Sequence, residues 1–215
     1  FMIIASGPIA IYHHSFPIKK KVNRNKILFL NVTILIKSVF SLLYGYTRFE
    51  AETYTKKAIA ANRAKDWKGV IADIDKANWR YYSLDPTSTP LLWYRGVANF
   101  SLGRIKEARS DFLKAYAAHP YHIHVLNNLG TSFAQLRDFD EAIDYYQKAL
   151  VISPRFEQAI LNLGAVYWRM GQYGQAREAL MRCIHINPQS KAAAYLKMVA
   201  EKQSYLIKKP LYLDK

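Results

Sequence analysis

The sequence predicts an all-α protein: a solenoid of stacked antiparallel helix pairs, preceded by a transmembrane helix. Three observations carry this. Small residues and prolines recur every 34 residues, as Gly96, Gly130 and Gly164, as Ala108, Ala142 and Ala176, and as Pro120, Pro154 and Pro188. Between those marks the apolar residues keep helical spacing, for example Leu126, Leu129 and Phe133, then Ala142, Tyr146 and Ala149. Ahead of the repeat, ILFLNVTILIKSVFSLLYGYT is long and apolar enough to cross a bilayer as a helix.

Composition bounds the classes. Half of the 215 residues are apolar, and Gly (9) and Pro (8) are modest, so the chain can bury a core. The single cysteine, Cys183, excludes an internal disulfide framework and a Cys-rich zinc site. The formal charge is +15, but it is unevenly placed. Residues 1–48 hold seven basic residues and no acid, and residues 191–215 hold six Lys against two acids. The middle has 18 basic and 14 acidic residues. A basic N-terminus beside an apolar run reads as membrane topology, and nucleic acid is not the expected partner.

Residues 1–26 open on FMIIASGPIAIYHH, apolar and headed by Phe rather than Met. This predicts the C-terminal piece of a longer chain, its first dozen residues ending an earlier membrane helix. A cytoplasmic loop follows with Lys19, Lys20, Lys21, Arg24 and Lys26. Residues 27–47 are the predicted transmembrane helix. At about 1.5 Å per residue, these 21 residues span about 31 Å. Tyr44 and Tyr46 sit where an interfacial aromatic belt falls. Lys37 lies mid-span, where it costs about 2.5–3.5 kcal/mol on insertion. Asn31, Thr33, Lys37, Ser38 and Ser41 share one side of the helical wheel, opposite Leu28, Val32, Leu35, Val39, Leu42 and Leu43. A single polar face fits a helix packed against other membrane helices. A helix lying in the interface, and one packed on a soluble domain, are the alternatives. The positive-inside rule places residues 1–26 in the cytoplasm and those after 48 outside it. In a bacterium that is an inner-membrane protein with its repeats in the periplasm.

Three full units follow, 89–122, 123–156 and 157–190. Each glycine lets the two helices of a unit approach, and each alanine does the same from the second helix. The prolines lack an N–H and restrict the residue before them, so they end one unit. Gly103 and Gly171 fall at the turn between helices, a C-cap position, stapled by Ile105, Phe139 and Tyr173. A degenerate unit, 51–88, precedes these. Its Ala58, Trp67, Val70, Ile74 and Ala77 match the pattern, and it runs four residues long through NWRYYSLDPTSTP, as an extra helical turn or a bent loop. Residues 191–207 form a capping helix with Ala193, Leu196 and Val199 inward, and 208–215 are a tail.

This period and residue order resemble the tetratricopeptide repeat, TPR. Arg95 and Asn99 depart from it, where an apolar and an aromatic residue are usual. The resemblance implies a right-handed superhelix whose concave groove is built by the first helix of each unit. Its groove positions fall on Trp93, Val97 and Phe100, on His124, Asn127, Thr131 and Gln135, and on Leu161, Ala165, Trp168 and Arg169. The implied occupant is a protein or peptide, with a glycan as the alternative. Family members that clamp acidic chaperone tails carry Lys and Asn at set positions. Those positions hold Trp93, Asn127 and Leu161, and Val97, Thr131 and Ala165, so that clamp is not expected. More narrowly, DPTSTPLLWYRGVANFSLGRIKEA and HPYHIHVLNNLGTSF resemble the C-terminal TPR tail of bacterial O-antigen ligase-like membrane proteins. That resemblance implies a scaffold attached to a glycan-transferring enzyme whose catalytic loop lies elsewhere. A self-contained membrane-anchored adaptor remains the alternative.

No chemistry is expected of the chain itself. It has no Gly-rich phosphate loop, no nucleophile elbow and no paired metal-ligating histidines at helical spacing. Cys183 takes a small core position of the repeat. Asp138, Asp140, Glu141 and Asp144 open a helix and favour its dipole. His119, His122 and His124 invite a metal reading, yet the register places them at the joint between units, with only His124 in the groove. No catalytic residue, metal or cofactor is predicted.

Overall fold

A computed structural model describes residues 24–77 and 82–208, with the side chains of 205–208 left aside. The basic cluster Lys19–Lys21, the expected end of an earlier helix and the tail 209–215 lie outside the described residues. The chain divides at Thr47 into two units. The first is the N-terminal part of α1, a helix that runs Arg24–Arg63. The helix expected at 27–47 therefore starts earlier, taking in Arg24 and Lys26, and continues into the degenerate unit. Helical spacing persists through Thr53, Thr55 and Ala58, and no glycine or proline stands at the expected boundary of 47–51. Leu28, Phe29, Leu35, Phe40 and Leu42 are all more than half exposed. The hydroxyls of Thr33 and Thr47 donate to the carbonyls of Phe29 and Leu43, at 2.8 and 3.1 Å, so they use the helix's own backbone. By length and composition this helix is long and apolar enough to cross a membrane.

In the second unit, the end of α1 pairs with α2 (Trp67–Ala77). Three further hairpins follow: α3 (Leu91–Ser101) with α4 (Ile105–Ala118), α5 (Ile123–Gln135) with α6 (Phe139–Ile152), and α7 (Glu157–Arg169) with α8 (Tyr173–Ile186). Helix α9 (Ala192–Lys208) closes the row.

Each of the three further hairpins is closed by the same contact. A side chain on the second helix lies against a glycine sixteen positions earlier on the first: Phe112 on Gly96, Tyr146 on Gly130 and Leu180 on Gly164. At the equivalent places of the degenerate unit, Ile74 and Ala58 are buried in one cluster. A Cβ built on Gly96 falls 2.5 Å from the Phe112 ring, and one on Gly130 falls 2.7 Å from the Tyr146 ring. On Gly164 the nearest atom, of Leu180, is 3.3 Å away. Aromatic partners demand glycine, while an aliphatic one tolerates a methyl, which is why the degenerate unit keeps Ala58.

The turn inside each hairpin places one residue in the left-handed region. Gly103 and Gly171 have φ +76°, and Arg137 and Lys65 hold the equivalent places at 66° and 58°. The two side chains there strain the backbone, whereas glycine does not.

Arg95 and Asn99 are explained by a coordinated exchange. In α5 and α6 the equivalent residues are Leu129, Phe133 and Tyr145, and the two rings stack with centroids 5.4 Å apart. In α3 and α4 they are Arg95, Asn99 and Asp111. Arg95 forks onto Asp111 at 3.0 and 2.6 Å, and Asn99 donates to the same carboxylate at 2.9 Å. Arg95 also pairs with Asp75 of α2. Asp111 is 3% exposed, so a charged set fills a place that is apolar one unit later.

The four extra residues build a tied loop rather than another helical turn over 82–90; residues 78–81 lie outside the described set. The Asp85 carboxylate accepts from the Thr87 and Thr89 N–H groups and from the Thr87 and Tyr94 hydroxyls, all within 2.7–2.9 Å. Burial alone raises its pKa, but these four donors outweigh burial and hold it below the usual carboxylate range. The capping helix is also rotated from expectation. Ala192 and Val199 are buried and Leu196 is half-buried, but Ala193 is exposed. Ser190 Oγ accepts from the Ala192 N–H at 3.2 Å and donates to Glu157 Oε1 at 2.6 Å, which ties the start of α9 to α7.

Candidate functional site

The first helices α3, α5 and α7 carry the groove positions, and the structure sorts them into three groups. At one end Trp93 lies beside His124 and His122, with ring centroids 6.2 Å away in each case. His124 meets Phe156 edge-on at 5.3 Å. The Trp93 indole N–H is enclosed and meets no acceptor among the described residues. Trp93 is therefore held by its neighbours more than it is offered to a ligand.

The three joint histidines do sit together. His119 and His124 lie 5.6 and 5.7 Å from His122, ring to ring. His122 is the N-cap of α5: its Nδ1 accepts from the Val125 N–H at 3.3 Å. Burial, then the neighbouring His124 and His119, lower its pKa and favour the neutral form that can accept this bond. The cluster is a helix-capping joint.

In the middle, Asn127 and Thr131 are already engaged. Asn162 Nδ2 donates to Asn127 Oδ1 at 3.0 Å and to Thr131 Oγ1 at 3.3 Å, tying α7 to α5. The Tyr146 hydroxyl donates to Thr131 Oγ1 at 3.1 Å, and burial pushes the Tyr146 pKa up to about 12. Asn127 is 5% exposed and serves the scaffold. Val97 and Phe100 share a small cavity of about 80 Å³ with Thr131, Ser101, Phe112 and Asn128. Gln135 is exposed.

At the far end Leu161, Ala165, Trp168 and Arg169 come together. With Gly164, Leu180, Tyr195, Met198 and Val199 they line an apolar cavity of about 220 Å³. Tyr195 and Met198 are about half exposed, so the cavity opens on their side. Trp168 rests edge-on against Tyr173 at 5.1 Å. Arg169 is partly spoken for: its guanidinium donates to the Ala134 carbonyl at 2.8 Å and lies over the Phe139 ring.

Sequence reasoning missed Asn162, Tyr195 and Met198. The period could have found the last two, because Tyr195 and Met198 stand 34 residues after Leu161 and Gly164. Asn162 left no such signal, as its neighbours in register, Tyr94 and Asn128, do other work.

Comparison with known proteins agrees with this architecture. Residues 124–156 and 157–190 each match a family model described as tetratricopeptide repeat. The fold is similar to MamA 41-end from Desulfovibrio magneticus RS-1, at TM-score 0.63 and 18% identity, over 72% of this chain and 86% of that one. A crystal structure of MamA protein aligns at TM-score 0.57 and 23% identity, over 77% and 99%. The first TPR of Spaghetti (RPAP3), solved bound to the HSP90 peptide SRMEEVD, aligns at TM-score 0.53 and 20% identity, over 57% and 98%. The all-α TPR solenoid is thus the fold of the second unit.

Proposed function

We propose that this chain is a membrane-attached TPR scaffold that holds an extended segment of a partner protein along its first-helix groove. The carrying observation is the apolar cavity between α7 and α9, walled by Leu161, Trp168, Tyr195 and Met198. Its size suits one aliphatic or aromatic side chain, and its open side lets the rest of a peptide run on toward Val97, Phe100 and Asn128. The structure solved with an HSP90 peptide supports peptide binding by this fold. The clamp positions here hold Trp93, Asn127, Leu161, Val97, Thr131 and Ala165, so the favoured segment is apolar-anchored rather than acidic-tailed.

Exposure of the apolar side chains of α1 supports insertion into a membrane, and the basic residues ahead of that apolar run, Lys19, Lys20, Lys21, Arg24 and Lys26, favour the repeats on the outer side. The finer reading makes the chain the C-terminal tail of an O-antigen ligase-like glycan-transferring protein. It rests on the resemblance over 45–190, and a further run of apolar segments encoded upstream is the observation that decides it. Groove binding is tested by a photo-crosslinker placed at Met198 in cells, with one at the exposed Val151 as control. Protein adducts are expected at Met198 only, weakened by Leu161→Ala and Trp168→Ala while helicity stays. Unchanged capture in both variants refutes the groove. Carbonate extraction that releases the chain from membranes refutes the anchor independently.

A further inference from the structure

A second concavity lies on the other helix of the third hairpin. The outer face of α8, the α6–α7 turn and Gln203 of α9 enclose an open cleft of about 860 Å³. No groove residue named above lines it. Arg155, Arg177, Arg182 and His185 face into it against a single acid, Glu178, and Pro154, Met181 and Ile186 supply apolar wall. Arg182 donates to the Pro154 carbonyl at 2.5 Å, which positions its guanidinium without neutralising it. Among the described residues, the ion pairs use Glu52, Asp75, Asp111, Asp138 and Asp144, and none engages Arg155, Arg177 or Arg182. Three arginines and one carboxylate in a shared cleft, with no ion pair to the arginines among the described residues, leave a net positive field that an anionic ligand relieves.

We propose that this cleft binds an acidic peptide segment, its carboxylates on Arg155, Arg177 and Arg182 and its intervening aliphatic side chains on Met181 and Ile186. A guanidinium takes a carboxylate through two parallel N–H donors, which fixes orientation as well as charge. The cavity falls within the range of about 300–1,000 Å³ typical of ligand sites. Its lining has no Phe, Tyr or Trp, so a nucleic-acid strand finds cations there but no stacking platform. This site is independent of the groove, and either can fail without the other.

The test uses the full chain in neutral phosphatidylcholine nanodiscs and fluorescence anisotropy. The probe is a fluorescein-labelled peptide alternating Glu with Leu, and its control alternates Gln with Leu. The Glu peptide is expected to bind about tenfold more tightly than the Gln control, and binding should weaken as salt rises. Arg155→Gln with Arg177→Gln is expected to cost about tenfold while circular dichroism is unchanged, since neither residue makes an ion pair in the fold. Equal affinity for the Gln peptide, undiminished binding by the double variant, or no binding overturns the proposal. So does a single-stranded oligonucleotide, or a phosphatidylglycerol vesicle, that displaces the Glu peptide at lower concentration than unlabelled peptide does.

Discussion

Adding one methyl group to each of the three repeat glycines should give graded results. At Gly130 the new Cβ stands 2.7, 2.8 and 2.9 Å from three atoms of the Tyr146 ring. Carbon atoms rest at about 3.5–4.0 Å, so the ring must retreat by about 1 Å. Tyr146 is 1% exposed and its hydroxyl is bonded to Thr131, so it has no slack. Overpacking of this kind costs about 1–3 kcal/mol. Against it, alanine in a helix interior is favoured over glycine by about 0.5–1 kcal/mol. Gly130→Ala is therefore expected to destabilise by about 1–2 kcal/mol, or about 2–8 °C in Tm for a chain of this size. At Gly164 the nearest Leu180 atoms are 3.3 Å away, a gap that a rotating methyl can make good. There the propensity gain prevails, and Gly164→Ala should be neutral or stabilising by up to about 1 kcal/mol. Gly96→Ala should be harmful alone, because Phe112 lies at 2.5 Å, and rescued by Phe112→Ile, which recreates the Ala58–Ile74 pair. Urea melts followed by helical circular dichroism, on detergent-solubilised protein, read all of these. Gly164→Ala as damaging as Gly130→Ala, or no rescue by Phe112→Ile, would refute the ring-on-glycine account.

Asp111→Ala strips Arg95 of its main partner in a half-buried place, and should cost about 3–5 kcal/mol by the same melts. The triple change Arg95→Leu, Asn99→Phe and Asp111→Tyr copies the next unit and should recover most of that loss. Asp85→Asn should cost about 1.5–3 kcal/mol at neutral pH, since it weakens hydrogen bonds to a charged acceptor. The folded pKa of Asp85 is depressed, so its stabilisation is complete above the unfolded value of about 3.9 and fades as pH falls through the folded value. Tm measured from pH 6 down to about pH 2 should fall more steeply in the wild type than in Asp85→Asn. Arg137→Gly relieves a side chain at φ 66° and should raise Tm, stabilising by up to about 1 kcal/mol; a lowered Tm counts against strain there.

The solenoid was legible because its determinants are local and periodic. Glycine under an aromatic ring, alanine opposite and proline at the end leave a mark in every unit. What the period does not carry was harder to read. Arg95 and Asn99 stood out only as departures, since Asp111, which makes sense of them, lies twelve and sixteen residues away on another helix. Asp85 was hidden in a loop whose geometry comes from four donors meeting one carboxylate. Of the predicted groove residues, some line cavities and others are engaged in the scaffold. Leu161 and Trp168 line an open cavity, while Asn127, at a predicted groove position, is buried with its oxygen already taken by Asn162, a partner 35 residues on. Register tells which way a side chain points. It does not tell whether its hydrogen bonds are spent.

The Arg95–Asn99–Asp111 set also bears on how the chain is put together. Near-identical hairpins invite mispairing, in which a newly made unit docks one place out of line or exchanges with that of a neighbouring molecule. A slip of one unit would set Leu129 and Phe133 against Asp75, or press Arg95 onto the aliphatic and aromatic surfaces of α6. The second error strands a guanidinium away from water, and the first removes the cation that faces the half-exposed Asp75. The charged triad thus acts as a keyed joint: it marks which hairpin comes first, so that three similar parts assemble in one sequence only.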